Sequence, residues 1–144
     1  MGARIHHWQN LEVWQKAHRM VLDVYRVVQR FPAAERFRMT DQLCRAAISV
    51  PTNIAEGKGR NSIREYIAFL SIARGSVEEV QYLLLLAKDL GYLDEACYHR
   101  LHQGYTDVGK MLTRLIRALG RWVRPSPPRA EHRRPRAETA EQES

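Results

Sequence analysis

Between Lys110 and Arg124 five cations, Lys110, Arg114, Arg117, Arg121 and Arg124, recur at steps of four, three, four and three with no acidic residue among them. On a helix those steps draw one stripe, and a stripe of ammonium and guanidinium groups is suited to binding phosphate. Cations near a helix C-terminus also complement the negative end of its dipole, so a structural role for part of the stripe stays open. A second group, Lys58, Arg60 and Arg64, lies in and just after Gly57-Lys58-Gly59-Arg60-Asn61-Ser62. That hexapeptide has the outline of a phosphate loop. It lacks the Gly-Lys-Ser/Thr ending of a P-loop and the third glycine of the dinucleotide fingerprint, and a helical pattern precedes it where a strand is required. It reads as a helix junction whose following amides, beside Lys58 and Arg60, are placed to receive a backbone phosphate.

Other reactive side chains do not assemble into a known constellation. His99 and His102 are three residues apart, a spacing that allows a shared metal, but no Glu-x-x-His or His-Glu-x-x-His accompanies them. They read as two solvated histidines. No metal site, cofactor or catalytic residue is expected, and the chain is read as a non-enzyme. Cys44 and Cys97 sit in apolar helical patterns at the starts of two helices, a usage that fits small buried hydrophobes better than a disulfide. Glu56, Arg74 and Glu79 are charges set among apolar neighbours. Either they form a binding site or they form an ion-pair network bracing one helix against the next; charges removed from water need partners, which favours the network.

These groups must be positioned by helices. With 144 residues, 44% of them hydrophobic, the chain can bury one core without disulfides or metal. A first stripe runs Trp14, Ala17, Val21, Val24, Val28 and Phe31, with Asn10 as candidate cap and Pro32 as its end. Thr40 and Asp41 then open a second helix whose stripe, Leu43, Ala47, Val50 and Ile54, passes through Pro51; the unbroken apolar phase predicts a kink there, not a break, with Ser49, Thr52 and Asn53 near the freed groups. Gly57 and Gly59 are expected to end it in a left-handed or extended conformation. Ser62 with Glu65 is a capping box for a long third helix that stops at Gly91, and Asp94 caps a fourth, striped by Tyr98, Leu101, Tyr105, Val108, Leu112, Leu115, Leu119 and Trp122. Four helices joined by short links predict an all-α, antiparallel up-down-up-down four-helix bundle over residues 1–124. Residues 125–144, rich in Pro, Arg and Glu, are expected to be a disordered tail.

The third helix carries more apolar side chains than one buried stripe needs. Ile63, Ile67 and Leu85 lie off its main stripe and mark a second contact surface, expected to meet another subunit; a greasy solvent face is the alternative. No window approaches the length of a membrane span and the N-terminus lacks the apolar run of a signal peptide, so a cytoplasmic protein without membrane contact is expected.

The motifs together resemble a known family. Leu11-Glu-Val-Trp-Gln-Lys-Ala17, Phe31-Pro32, Arg45-Ala-Ala-Ile-Ser-Val-Pro-Thr-Asn-Ile-Ala-Glu-Gly57, Phe69-Leu-Ser-Ile-Ala-Arg-Gly-Ser76 and Leu90-Gly-Tyr92 carry the resemblance, over about residues 8–120. The chain resembles the bacterial four-helix-bundle family named for open reading frames in 23S rRNA intervening sequences, which includes the accessory variability determinant proteins of diversity-generating retroelements. That resemblance implies a homopentameric barrel without catalytic activity and, in the retroelement members, basic surface that binds a reverse transcriptase and nucleic acid. Lys58, where the family commonly has an apolar residue, and the Arg-Pro tail depart from the pattern.

The net charge of +7 favours a polyanion partner. In an antiparallel bundle the end of the fourth helix lies beside the start of the first, which adds Lys16 and Arg19 to the basic stripe. The expected function is therefore an accessory protein that holds RNA or DNA by its backbone, with a reverse transcriptase as candidate partner. The alternative is a self-assembling scaffold whose basic charge is incidental.

Overall fold

The computed structural model describes residues 7–123, which form four α-helices: α1 (Glu12–Val28), α2 (Asp41–Lys58), α3 (Ile63–Asp89) and α4 (Glu95–Gly120). Each helix packs on its neighbours in sequence and α1 closes against α4, so the bundle is antiparallel and up-down-up-down. The core is one cluster of inward side chains. Leu43, Leu70, Leu84, Leu101 and Leu112 are fully buried, each stabilising the fold by about 1.5–3 kcal/mol relative to exposure. Arg124 and the expected tail, 125–144, lie outside the described residues.

The ends of α3 and α4 follow their local chemistry. The Ser62 hydroxyl accepts from the Glu65 amide at 3.2 Å and the Asp94 carboxylate accepts from the Cys97 amide at 2.7 Å, so both side-chain caps form as the spacing predicts. Beyond α3 the chain turns through Gly91 at φ +82°, where the Tyr92 amide donates to Ala87 O and the Gly91 amide to Lys88 O. This paired closure needs a residue without a Cβ penalty at the left-handed position.

Other boundaries differ from expectation. A 3₁₀ turn, His7–Asn10, precedes α1, whose N-cap is Leu11 with no side-chain bond, so Asn10 does not cap it. The connector before α2 is not a loop: a 3₁₀ turn at Ala33–Glu35 and a π turn at Arg36–Thr40 run directly into the helix. Thr40 is therefore already helical and caps nothing; Glu35 accepts from the Met39 amide instead, and Asp41 pairs with Arg45 at 3.1 Å. α2 runs through Pro51 without a break, with Thr52 Oγ1 donating to Ile48 O and Asn53 Nδ2 to Ser49 O.

Gly57 and Gly59 are not left-handed. Gly57 lies inside α2 and Gly59 has φ −80°; the helix is closed by the Arg60 amide donating to Gly57 O. What Gly57 supplies is space, because a Cβ there would sit 2.8 Å from Phe69 Cβ and 2.9 Å from Tyr66 Cδ2. α2 and α3 can approach closely only where that carbon is missing. At the far end of the chain Trp122 lies past α4 and is 77% exposed, so the apolar stripe of α4 stops at Leu119.

Candidate nucleic-acid interface

The facing rows of α3 and α4 build an open groove. Gln81 on α3 donates from Nε2 to Thr106 Oγ1 at 2.9 Å and to His102 O at 3.3 Å. Arg74, seven residues earlier on α3, donates from Nη1 to Thr113 Oγ1 at 3.5 Å, seven residues later on α4. The two bridges share one antiparallel register. Between them, in the same register, Glu78 faces Gly109, which has no side chain, and the gap is floored by Val77 and Tyr105. The resulting groove has a volume of about 560 Å³ and is further lined by Lys110, Arg114 and Arg117.

Charge in this groove is one-sided. Arg74, Lys110, Arg114 and Arg117 stand against one acid, Glu78, and among the described residues none of the four cations has a carboxylate within 4.0 Å. Most ion pairs lie at the other end of the bundle: Arg26 and Arg100 with Asp23, Arg38 with Glu35, Arg45 with Asp41, and Lys88 with Asp89. Cations without a paired anion beside an apolar floor present donors to an incoming phosphate.

The expected basic residues separate into distinct groups. Lys110, Arg114 and Arg117 line the groove, and Arg121 is exposed one turn beyond. Arg114 also lines a smaller cleft against Leu11, Glu12 and Val13, which puts the start of α1 beside the end of α4 as antiparallel packing requires. Lys16, however, pairs with Asp107 of α4 at 3.8 Å, while Arg19 is exposed. Lys58 lies over the Tyr66 ring at 5.7 Å and Arg60 over the Phe69 ring at 4.7 Å, so both brace the α2–α3 junction by stacking. Arg64 is exposed on the first turn of α3.

The expected ion-pair network does not form. Glu56 is exposed, Glu79 accepts from Gln42 Nε2 at 3.4 Å, and among the described residues neither pairs with a cation. The Arg74 guanidinium reaches across to α4 instead, which makes it a wall of the groove. Sequence reading passed over Gln81, Thr106, Glu78 and Thr113; for the two threonines the one signal is that Thr106, Lys110, Thr113 and Arg117 repeat the four-three-four spacing of the cations.

Ile67 and Leu85 are five turns apart on α3 and fall on the same line as Arg74, Glu78 and Gln81, so they flank the groove lengthwise. Ile63 and Leu85 are partly exposed, and Ile67 is half-buried. The more exposed apolar side chains of α3 are Ile72 and Tyr82, at 54% and 61%, neither of which lines the groove.

Among the described residues no three His, Cys, Asp or Glu side chains gather to hold a metal, and His99 and His102 both contact the Tyr98 ring. Cys44 and Cys97 are free and half-buried, more open than their apolar setting suggests; burial, with Asp41 nearby, pushes the Cys44 thiol up. The phenol oxygens of Tyr66 and Tyr105 are buried without a hydrogen-bond partner, and burial raises both above the usual tyrosine range. No helix among the described residues is long and apolar enough to cross a membrane.

Fold and site define a four-helix bundle with a cation-lined, glycine-opened groove between its third and fourth helices. Residues 9–114 match the family of 23S rRNA-intervening sequence proteins, and the chain belongs to that family. It is similar to a protein of unknown function from the S23 ribosomal protein family of Bacteroides thetaiotaomicron, known from a crystal structure at 1.70 Å resolution. The two share 24% identity with a TM-score of 0.68, over 73% of this chain and 95% of that one, a likeness of fold. No curated protein matches the chain.

Proposed function

We propose that this protein is a non-enzymatic accessory protein that holds nucleic acid by its phosphates along the α3–α4 face. The observation that carries the reading is the groove itself, with Arg74, Lys110, Arg114 and Arg117 together and unpaired by any described carboxylate. At the opposite end of this bundle Arg26, Arg38, Arg45, Lys88 and Arg100 each have an acid within 4.0 Å. Leaving four unpaired beside one another costs repulsion that a polyanion relieves. The test is binding of a labelled RNA or DNA oligonucleotide at low salt. The wild type binds, and a variant carrying Arg114→Glu and Arg117→Glu does not; equal binding by both proteins refutes the reading.

Self-assembly is a second part of the proposal, favoured by the exposed Ile63, Leu85, Ile72 and Tyr82 on α3. A ring of five subunits would repeat the basic groove and strengthen weak contacts through avidity. Light scattering of Ile72→Glu, Tyr82→Glu and Leu85→Glu tells which side of α3 is used. A monomeric wild type removes this part of the reading and leaves the phosphate contacts standing. A complex with a reverse transcriptase is the form this role takes if the gene serves a retroelement, and co-purification of the two tests it.

A further inference from the structure

The groove is more than a charged surface. Its two polar bridges, Gln81 to Thr106 and Arg74 to Thr113, stand seven residues apart, which at the rise of an α-helix is roughly 10 Å. Between them α4 lines the groove with Gly109 and, beside it, Lys110. A Cβ built there would meet Val77 Cγ1 at 3.6 Å, an ordinary contact, so packing does not demand glycine at this position. A glycine inside a helix lowers its stability relative to alanine. What the missing side chain provides is room above Val77, which with Tyr105 closes the bottom of the groove and is itself almost fully covered; the groove as a whole has a volume of about 560 Å³, within the range of small-molecule sites.

The chemistry of the opening differs from that of its rim. Both amide hydrogens of Gln81 are spent on Thr106 and His102, which leaves the Gln81 carbonyl oxygen as an acceptor and the Thr106 hydroxyl hydrogen as a donor. Glu78 stands across from Gly109. A carboxylate repels a bare phosphate backbone, but it accepts hydrogen bonds from the amino and imino groups of a base. A donor, two acceptors and a flanking row of cations suit one unstacked nucleotide better than an uninterrupted run of phosphates.

We propose that the opening at Gly109 takes a single nucleobase, so that the substrate class is single-stranded nucleic acid, with the adjoining phosphates held by Lys110, Arg114 and Arg117. A base paired inside a duplex cannot enter. This inference rests on the nucleic-acid reading above and adds to it a preference that charge alone does not produce.

The experiment uses the full chain and three labelled probes of equal length: a mixed-sequence single-stranded RNA, the same strand with abasic sites, and its duplex. The single strand is expected to bind at least ten-fold tighter than the abasic strand, which has the same phosphates, and tighter than the duplex at matched salt. Gly109→Leu fills the opening without altering charge. It is expected to equalise the intact and abasic strands; Gly109→Ala, a smaller intrusion, lowers the ratio in part. If the wild type binds intact and abasic strands equally but with salt dependence, the base site is refuted and the phosphate reading survives. If no probe binds, both fall. If Gly109→Leu splits a wild-type oligomer and leaves the strand ratio untouched, a second copy of the chain occupies the groove and the base site is refuted.

Discussion

Neutralising two groove cations should change how binding depends on salt by a calculable amount. Four cations line the groove, Arg74, Lys110, Arg114 and Arg117. If each neutralises one phosphate, the logarithm of the binding constant for a single strand falls with the logarithm of salt at a slope of about −0.7 per contact, or about −2.8 in all. Between 50 and 200 mM salt this corresponds to roughly a fifty-fold loss of affinity. Arg114→Gln with Arg117→Gln removes half of the contacts, so the slope should flatten to about −1.4 and the loss over the same range to roughly seven-fold. Glutamine keeps length and polarity, which limits the effect on helix stability. Fluorescence anisotropy across a salt series, with an oligonucleotide short enough to occupy one groove, reads both slopes. A double variant weakened at every salt concentration but retaining the wild-type slope would refute the assignment of Arg114 and Arg117 to phosphate.

Three further outcomes follow from the packing. Gly57→Ala places a carbon 2.8 Å from Phe69 Cβ, which is too near the backbone to rotate away; overpacking should lower stability in urea by about 1–3 kcal/mol despite the better helix propensity of alanine. Asp94→Ala removes the 2.7 Å cap bond at the start of α4 and should lower stability by about 1 kcal/mol. Tyr105→Phe deletes a buried, unpartnered hydroxyl and should raise stability by about 1 kcal/mol. It should also blunt alkaline unfolding: the folded-state phenol titrates above its usual value of 10.0 through burial, so its share of stability is complete below that pH and is lost as the pH climbs beyond it. Thermal melts from pH 8 to 11 compare the two proteins.

What was legible in the sequence was local. Ser62 and Asp94 cap helices through contacts three residues away, and Gly91 closes α3 within its own turn, so spacing alone reveals them. The stripes of α1 to α4 likewise report the core because a helix repeats itself. What could not be read was register between helices. Arg74 was assigned to an ion pair because its neighbours in sequence are apolar; its partner, Thr113, is 39 residues away and identifiable only once α3 and α4 are aligned. Gly57 misled for a related reason, since its neighbour in space, Phe69, belongs to the next helix. The basic stripe of α4 was visible, but the opening it flanks needs Gly109, Val77 and the two bridges together, and no single helix contains them.

The separation of charge described above gives the bundle an electrical handedness. Ion pairs neutralise the end formed by the close of α1 and the start of α4, whereas Lys110, Arg114, Arg117 and Arg121 leave the other end positive. Antiparallel helices largely cancel one another's peptide dipoles, so among the described residues the charge imbalance between the two ends comes from side chains. If the protein binds a polyanion as proposed, this imbalance would favour an approach with the groove end first. In a ring of parallel subunits the positive ends would lie together and push the members apart, until a threaded polyanion supplied the countercharge. Assembly and cargo would then be coupled through electrostatic energy, with no change of shape required.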